Sequence, residues 1–406
     1  MADWLGDLET ARIACAKARD SHETARSVLG VVYSDLIRGL TKETAGDLKR
    51  AYAHFQRAAQ HARDEVGAGS YAEAVAGIFE VDILYEWNDL AAAESRLQQH
   101  RRVIEECGLV VHEITCKLHA ARLAAALGRH DEAQTVLERD ERKGLQTRYQ
   151  RLFASAIHER VRLLLVRGDI GAAKLVLMTR GIDENWIASH RPPLPASEPV
   201  HMAFARLLIA DQRPEAALRI LDALAEPMRK GGRMRRFAQI RALSAMASFQ
   251  AGDALSALAA IVDAVSLCAP QGALRSLIDE GDSLQDVISF GRERIPSWKS
   301  NGEIGQFLDK LVFGRTEQVQ NGERHESKPG RTPHFSAREA DVARLLSCGQ
   351  NNREMAQTLS MAPDTVKWHL KNIFGKLGVS NRTQTVLRLQ GLGVAGKADP
   401  RFPLLN

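Results

Sequence analysis

The sequence is poor in aromatic residues and in runs of β-branched residues, and this shortage bears on the fold class. Phe, Trp and Tyr make up 5% of the 406 residues, while Ala and Leu are abundant. Strands are enriched in aromatic and β-branched residues, whereas Ala and Leu favour helix. Hydrophobic residues (45%) and charged residues (26%) occur at levels usual for a soluble globular protein. We therefore expect an all-α protein with a sizeable core.

Cysteine is also scarce. The five cysteines are widely scattered, with no Cys-x-x-Cys pair and no His nearby at the spacing of metal ligands: Cys15, Cys107, Cys116, Cys268 and Cys348. An odd, scattered set of this kind is typical of reduced thiols in a cytosol. We expect no metal site and no cofactor.

Signals for export or for membrane insertion are missing. The N-terminus lacks a basic region followed by an apolar one, and no stretch approaches the roughly 18 apolar residues of a membrane helix. The net charge of +5, from 55 Lys and Arg against 50 Asp and Glu, is too small to imply a polyanionic partner by itself. We expect a cytoplasmic protein with no membrane partner.

Motifs of catalysis are absent as well. The sequence has no Gly-x-Ser-x-Gly, no Gly-x-x-x-x-Gly-Lys-Ser/Thr loop and no His/Glu set at metal-ligand spacing. The polar run His130-Asp-Glu132 lies in a repeat turn, where a solvated corner is the simplest interpretation. An enzyme is therefore the least favoured class, and we predict no catalytic residue.

What the sequence does have is an internal repeat of about forty residues. A turn residue stands five positions before an Ala at seven places, spaced by 40 to 44 residues: Gly6/Ala11, Gly46/Ala51, Asn88/Ala93, Gly128/Ala133, Gly168/Ala173, Gln212/Ala217 and Gly252/Ala257. Apolar-periodic segments lie on both sides of each turn residue, which predicts a helix, a tight turn and a second helix. The small Ala allows the two helices to approach closely. Such hairpins bury their apolar faces only by stacking, which predicts an α-solenoid of about seven hairpins.

The ends of this solenoid differ from its middle. Apolar spacing continues through 281–313, so terminal helices are expected there and the solenoid domain is predicted to span 1–313. Gly6 comes too early for a helix to precede it, so the chain begins halfway through a repeat. We expect Leu8, Ile13 and their apolar neighbours to be partly exposed, as in a unit that has lost one neighbour.

A second domain follows a polar, Gly- and Pro-containing segment at 314–332, which is typical of a flexible linker. Ser336-Ala-Arg-Glu339 and Asn351-Asn-Arg-Glu354 are capping boxes that predict the starts of two helices. Pro363 favours the start of a third helix that ends near Leu377. The short helix, three-residue turn and longer helix predict a helix-turn-helix domain at 333–396, followed by a tail at 397–406.

The third helix has two faces of different chemistry. Its apolar stripe predicts contact with the other helices: Val366, Leu370, Ile373 and Leu377. The opposite face, with one flanking residue, is polar and aromatic: Asp364, Lys367, Trp368, Lys371, Asn372 and Gly375. Eight Lys and Arg stand against four Asp and Glu between positions 332 and 394, so most of the chain's net charge lies in this small domain. Such a helix is suited to enter a DNA groove.

Several residue types across this region resemble the LuxR-type DNA-binding domain. They are Phe335-Ser-x-Arg-Glu339, Asn352-Arg-Glu-Met-Ala356, Thr365-Val-Lys-x-His369, Lys376-Leu377 and Arg382. Two departures are Ala362, where the family usually has a capping Ser, and Asn351, where Ser is common. Loss of a helix cap costs ~1 kcal/mol. The Ala at position 362 therefore bears on the stability of the start of the third helix and not on the identification of that helix. A three-helix module used only for protein contacts is the alternative.

The resemblance implies which residues would meet DNA. Lys367, Trp368 and Lys371 occupy the positions from which such domains touch base edges in the major groove, with Lys donating to guanine and an exposed Trp meeting a thymine methyl. Packing at a helix junction is the alternative for Trp368. Asn352, Thr365 and Arg382 are expected to donate to phosphates. His369 lies near the apolar stripe, and we expect a structural role for it.

The resemblance also implies an assembly. A fourth helix at about 383–392, capped by Asn381, is expected to pair with a second copy through Val386, Leu389 and Leu392, which gives a homodimer on DNA. The forty-residue hairpins and the segment Gly272-Ala-Leu-Arg-Ser-Leu-Ile-Asp-Glu280 resemble the repeat region of MalT-like regulators. Those regulators carry an upstream nucleotide-binding module. Because this chain has no phosphate loop, we expect that module either to be absent or to lie on a part of the protein outside this chain, and the half-repeat at Gly6 favours a missing upstream part.

Two functions fit these patterns. The first is a bacterial transcription regulator whose solenoid senses a small-molecule or protein effector and controls a DNA-binding domain, with RNA polymerase as a further partner. The second is a solenoid scaffold for another protein, with DNA binding secondary. The effector, the operator and the sign of regulation do not follow from the sequence, because solenoid surfaces bind many kinds of ligand.

Overall fold

The computed structural model describes residues 27–107, 109–190, 196–299, 302–312, 337–359, 361–377 and 382–391, with Val379 and single positions between Thr10 and Thr24. Every regular element within these ranges is helical. The predicted all-α class is confirmed. The predicted linker at 314–332 and tail at 397–406 lie outside the described residues, as do Gly6 and Leu8. Ile13 is described and is 44% exposed.

Six helical hairpins follow one another in the first part of the chain and form the solenoid. Their helices, with one short additional helix, are α1 (Val28–Thr44), α2 (Leu48–Val66), α3 (Tyr71–Glu86), α4 (Leu90–Cys107), α5 (Val110–Ala126), α6 (His130–Gln146), α7 (Gln150–Val166), α8 (Ile170–Met178), α9 (Glu184–Ser189), α10 (Glu198–Ala210), α11 (Pro214–Lys230), α12 (Met234–Gln250) and α13 (Ala254–Cys268). The short α9 lies between α8 and α10. In this region the turn residues Gly168 and Gln212 are 44 positions apart, the widest spacing in the repeat.

The predicted turn residues carry out the role inferred from the repeat. All six that the structure describes have positive φ angles, including the non-glycine residues Asn88 (φ 61°) and Gln212 (φ 60°). This left-handed conformation ends the first helix of each hairpin and reverses the chain. Each of the six alanines five positions later is 0% exposed: Ala51, Ala93, Ala133, Ala173, Ala217 and Ala257. The repeat is confirmed over these six units.

The two helices of each hairpin differ in burial. The second helix buries one stripe, as in α11, where Ala217, Ile220 and Leu224 face the core. The first helices pack against one another through the array, and α3 is buried along most of its length. The last of them, α12, also contacts α1, so the ends of the array meet. First helices therefore line the inside of the solenoid, and second helices form its outside.

The segment that follows α13 enters this interior. A 3-10 turn (Ala269–Gln271) and α14 (Arg275–Ile278) precede α15 (Asp282–Arg294), a second 3-10 turn (Pro296–Trp298) and α16 (303–312). The amide of Leu274 donates to the carbonyl of Glu86 at 2.8 Å, and Trp87 Nε1 donates to the carbonyl of Gln271 at 2.9 Å. Of the apolar residues expected to close the solenoid, Ile304 is half-buried and the others are buried: Leu284, Val287, Ile288, Phe307, Leu308 and Leu311.

One sequence expectation about membranes is wrong. The stretch Ala254–Gln271 has the length and the mean hydropathy (1.5) of a membrane-spanning helix. Its side chains Ile261, Ala264 and Val265 are fully buried in the solenoid core. Of this stretch, 39% is buried within the structure, and core helices pass the same test of length and composition.

The C-terminal unit has its own core. Its helices are α17 (Ala337–Ser347), α18 (Asn352–Thr358), α19 (Pro363–Leu377) and α20 (Arg382–Gly391). The buried cluster that joins them is separate from the solenoid core: Val342, Ala343, Leu346, Met355, Ala356, Met361, Val366, Leu370, Ile373, Leu377 and Leu389. Asn351 forms the predicted capping box with Glu354, each bonding the other's backbone amide. Ser336 of the other box lies outside the described residues, as do Asn381 and Leu392.

The structure corrects the dimer surface inferred for the fourth helix. Leu389 is 0% exposed inside the core of its own unit, and the half-buried Val386 packs against the same cluster. Leu389 is therefore needed for the fold of one copy and is not available to pair with a second copy. The apolar spacing on α20 reports this internal contact, because a helix of a small domain must first bury a face against its neighbours.

Candidate nucleic-acid interface

Helix α19 is positioned by its apolar stripe. Val366 and Ile373 are fully buried, and Leu370 and Leu377 nearly so, against α17, α18 and α20. The helix begins without a side-chain cap at Ala362, whose carbonyl accepts from the amides of Thr365 (3.0 Å) and Val366 (3.2 Å). Pro363 stands in the first turn, where its missing amide needs no partner. The α18–turn–α19 arrangement is a helix-turn-helix.

The two lysines predicted to read bases are exposed on α19. The Lys367 side chain is 63% exposed, and its Nζ lies 3.0 Å from Asp364 Oδ1 one turn earlier. The Lys371 side chain is 72% exposed, and its Nζ lies 2.5 Å from Oε1 of Glu293 on α15. One lysine thus has a partner on its own helix, while the other has a partner on the solenoid.

Trp368 does not lie where the sequence pattern placed it. It is 4% exposed and belongs to the buried cluster of the solenoid. Its ring meets Phe249 edge to face, with 5.2 Å between ring centroids, and Phe290 with 6.0 Å. The expectation of an exposed Trp368 is wrong for this structure, because the solenoid covers that face of α19. Its contact with a base remains a prediction.

The three predicted phosphate contacts are placed differently from one another. Asn352 is half-buried in the first turn of α18. Thr365 is 2% exposed. Arg382 is half-buried, and its guanidinium donates to the backbone carbonyl of Gln350, which ties α20 to the loop before α18. All three remain predictions, and Arg382 already has a structural contact.

Polar contacts accompany the aromatic contact between the solenoid and the C-terminal unit. Arg338 at the start of α17 donates from Nη2 to the carbonyl of Gln250 at 2.9 Å. His369, next to Trp368, is 2% exposed with its ring centroid 5.7 Å from that of Phe249. We call the set Phe249, Gln250, Phe290, Glu293, Arg338, Trp368, His369 and Lys371 the docking contact. The solenoid residues in it escaped the sequence analysis, since Phe at the end of a core helix resembles any other core residue.

The inside of the solenoid contains a network of buried charges that the sequence analysis also missed. Arg235 on α12 binds Glu43 on α1, Asp82 on α3 at 2.5 Å and Glu86 on α3 at 2.7 Å. Arg122 on α5 joins Asp82 (3.2 Å) to Glu159 on α7. These ion pairs bridge helices that are far apart in the chain. They hold the inner faces of the solenoid together.

Burial and charge shift the pKa values in this network. Burial, reinforced by the neighbouring Asp82, raises the pKa of Glu43 to about 8. Burial opposes ionisation of Asp82 too, but Arg235, His119 and Arg122 hold its pKa below the usual value. Burial also lowers the pKa of His119 to about 4 and that of His158 to about 3, with nearby arginines acting in the same direction. Both histidines are therefore neutral at pH 7.

Neither metal ligands nor disulfides feature in the described part of the chain. Within it, no group of three or more His, Cys, Asp or Glu is placed to hold a metal ion. The four described cysteines, Cys107, Cys116, Cys268 and Cys348, are free thiols. Burial raises the pKa of Cys116 to about 12, so this thiol is inert at neutral pH.

Comparison with known proteins matches both parts of the chain. The family model described as the MalT-like TPR region matches residues 2–294, and the one described as bacterial regulatory proteins, luxR family, matches residues 333–389. The HTH-type transcriptional regulator AlkS of Ectopseudomonas oleovorans is 24% identical over 321 residues, which are 78% of this chain and 34% of AlkS. Serine/threonine-protein kinase PknK of Mycobacterium tuberculosis is 28% identical over 256 residues, which are 62% of this chain and 22% of PknK. The chain thus spans about a third or less of these relatives.

A solved structure resembles the fold. The Rap conjugation gene regulator of plasmid pLS20, in complex with the Phr* peptide, superposes with a TM-score of 0.51 at 14% identity, over 77% of this chain and 80% of that one. This likeness concerns the helical fold alone. The family match over residues 2–294 shows that the chain belongs to the family of proteins with a MalT-like TPR region, and the match over 333–389 shows that it carries a C-terminal domain of the luxR family.

Proposed function

We propose that this chain is a cytoplasmic DNA-binding transcription regulator in which the solenoid controls access to the recognition helix α19. The observation that carries the proposal is the burial of Trp368 by Phe249 and Phe290, on the helix face that also carries Lys367 and Lys371. The luxR-family match to the C-terminal unit and the description of AlkS as a transcriptional regulator support the first half of the proposal.

DNA binding requires the docking contact to open. A recognition helix reads bases with its exposed face in the major groove, and α15 and the end of α12 lie against that face. Fully exposing an aromatic side chain such as Trp368 costs roughly 1.5–3 kcal/mol. This free energy opposes DNA binding by the full chain, and contacts to bases and phosphates offset it. The solenoid therefore sets the apparent affinity of the C-terminal unit for DNA.

An effector acts on this equilibrium by binding one state better than the other. A small molecule or a protein that prefers the docked state lowers DNA affinity, whereas one that prefers the open state raises it. On DNA, two copies bind a two-fold site, with the dimer surface elsewhere than Leu389. RNA polymerase is a further partner in this proposal. The reading of bases by Lys367, Trp368 and Lys371 and the contacts of Asn352, Thr365 and Arg382 with phosphates belong to the open state.

The test compares the full chain with residues 329–406, whose helices share a core of their own. Fluorescence anisotropy with labelled duplex DNA is recorded at two salt concentrations. We expect residues 329–406 to bind at least tenfold more tightly than the full chain, with a log–log salt slope near −0.9 per phosphate contact. Circular dichroism and a cooperative thermal transition serve as the control for folding.

Two results would contradict the proposal in different ways. If residues 329–406 are folded but bind no duplex DNA, the protein-scaffold alternative replaces the regulator. If both chains bind DNA equally well, the docking contact has no control over access, and the solenoid acts by another route.

A further inference from the structure

A cavity of about 390 Å³ lies between the solenoid and the C-terminal unit, beside the docking contact. Helices α7, α10, α12 and α15 contribute to its wall on the solenoid side, and Arg338 and His369 contribute from the C-terminal unit. We propose that this cavity binds a small amphipathic molecule whose head group combines a hydrogen-bond acceptor and a donor, and that binding holds the recognition helix on the solenoid. The regulatory half of this inference rests on the proposed function.

The size and the wall of the cavity fit a small organic ligand. Ligand sites in proteins commonly have volumes of about 300–1,000 Å³ and are mostly apolar, with a few polar groups that fix orientation. Apolar side chains supply one part of this wall, among them Leu165, Ile170, Ile209 and Met246. An apolar ring or chain of the ligand would lie against them.

Two buried polar atoms from opposite units specify the head group. Nε of Arg338 and Oε1 of Gln250 are both buried, and neither has a hydrogen-bond partner among the described residues. A neighbouring atom of each side chain is already bonded: Arg338 Nη2 donates to the Gln250 carbonyl, and Gln250 Nε2 donates to the Ile209 carbonyl at 3.0 Å. Buried donors and acceptors without partners are uncommon in native structures. A ligand acceptor for Arg338 and a ligand donor for Gln250 would satisfy both.

The other charged side chains in the cavity wall are compatible with the head group inferred for the ligand. Arg206 forms a bidentate pair with Glu280, with 2.8 Å from Nε to Oε2 and 2.5 Å from Nη2 to Oε1. Arg162 is bound to Glu159 at 2.8 Å. Asp282 and Asp286 also line the cavity, and they disfavour a head group of high negative charge. Carboxamides and hydroxy-carboxylates with an apolar body match these requirements.

Binding there is coupled to docking. The site includes Gln250 from the solenoid and Arg338 from the C-terminal unit, so it is complete only while the docking contact is closed. A ligand that binds only the closed state increases the population of that state. By linkage, it lowers the apparent affinity of the full chain for DNA by the same factor by which DNA weakens ligand binding.

The test uses 1-anilinonaphthalene-8-sulfonate as a probe on the full chain, because this molecule joins two aromatic ring systems to an anilino donor and a sulfonate acceptor. We expect one saturable site per chain in a fluorescence titration. N-phenyl-1-naphthylamine has the same rings and donor but no sulfonate, and it should bind at least fivefold more weakly because Arg338 then has no acceptor.

Cavity-filling variants locate the site. Ala210 lies in the cavity wall, and Ala210→Phe should weaken binding of the probe at least tenfold. Leu255→Phe places the same side chain at a position that is 82% exposed and outside the cavity, and it should leave binding unchanged. If Ala210→Phe does not fold, Ile170→Trp fills the same cavity. Probe binding that neither filling variant weakens, or equal affinities for the two dyes, would overturn the assignment.

A DNA-binding measurement in the presence of the probe separates this inference from the proposed function. We expect saturating probe to weaken DNA binding by the full chain severalfold and to have no such effect on the Ala210→Phe variant. If the site is confirmed by the filling variants but DNA affinity is unchanged by the probe, the coupling to docking is wrong. If the full chain and residues 329–406 both fail to bind DNA, the proposed function fails, while the dye titrations still decide whether the cavity is a ligand site.

Discussion

The interior of the solenoid and the recognition helix both carry cations, but the partners of these cations lie in different places. In the solenoid, Arg235 has three carboxylate partners, all within the same unit. On α19, the solenoid partner of Lys371 is Glu293, and Trp368 is covered by rings of the solenoid. Charges satisfied inside one unit stabilise its fold. Groups satisfied across a contact between two units become available when that contact opens.

The largest effect expected from this comparison is the loss of a solenoid charge. Arg235→Met leaves the buried carboxylates of Asp82 and Glu86 without their shared cation. Removing one partner of a buried ion pair costs about 3–5 kcal/mol. We expect a loss of that order in the free energy of unfolding of the solenoid, measured by urea denaturation followed by circular dichroism.

The matched control for this variant is Arg102→Met. Arg102 pairs with Glu106 on the surface of α4, where the two side chains are 85% and 59% exposed. The Arg102→Met substitution should leave the urea midpoint unchanged. Equal effects of the two substitutions would mean that the interior network contributes no more than a surface pair.

The second effect is a dependence of solenoid stability on pH. The folded-state pKa of His119 (about 4) and that of His158 (about 3) lie below the ordinary value of 6.5. At these two histidines the unfolded chain therefore binds more protons between pH 6.5 and 4, so their contribution to stability is lost as the pH falls through this window. Glu43, whose folded-state pKa is raised to about 8, contributes in the opposite direction. The loss is on the order of 2–3 kcal/mol per histidine, measured as urea midpoints from pH 7 to 4.5.

A histidine variant sharpens the pH prediction. His119→Gln removes one titrating group from the interior, so its stability should fall less steeply with decreasing pH than that of the unaltered chain. Asp82 acts in a lower window, because its depressed pKa preserves stability until the pH falls below about 3.8. Parallel pH profiles for the variant and the unaltered chain would exclude His119 as a source of the effect.

The third effect concerns the open state of α19. In residues 329–406, Lys371→Ala and Lys367→Ala should weaken binding to a selected site more than to random DNA, with about 1–3 kcal/mol of discrimination lost per base contact. Arg382→Ala should weaken both alike. Anisotropy titrations against the two DNAs measure this, and equal losses for Lys371→Ala would move Lys371 to the phosphate-binding class.

The smallest effect tests the docking contact from the solenoid side. Glu293→Arg replaces the partner of Lys371 by a like charge, and exposed ion pairs contribute about 0.2–1 kcal/mol. We expect the full chain to bind DNA two- to fivefold more tightly. Glu303→Arg makes the same change of charge at another exposed site near the end of the solenoid. If the two variants show the same increase in DNA affinity, the added positive charge explains the increase, and the docking contact does not.

Local features of the fold followed from the sequence because their causes are local. Gly and Asn tolerate the left-handed backbone of a turn, as at Asn88 and four glycines, and the capping box at Asn351 is formed by residues three apart. Gln212 has the same conformation, and its place followed from the repeat spacing. The exposure of Trp368 and the partner of Lys371 could not be predicted in this way. An amphipathic pattern states which side of a helix is apolar, but it does not state which distant surface covers the other side.

The sequence by itself determined the helical hairpins, their period and the helix-turn-helix, since turns, caps and apolar stripes depend on residues within a few turns of helix. Only the tertiary structure decided which charges are buried and where the recognition helix lies. Arg235 and Glu43 are 192 positions apart, and Lys371 and Glu293 are 78 apart. Pairings over such separations arise when the stacked hairpins curve until α12 meets α1 and when α19 packs on α15. Burial and charge then act between residues that no local pattern connects.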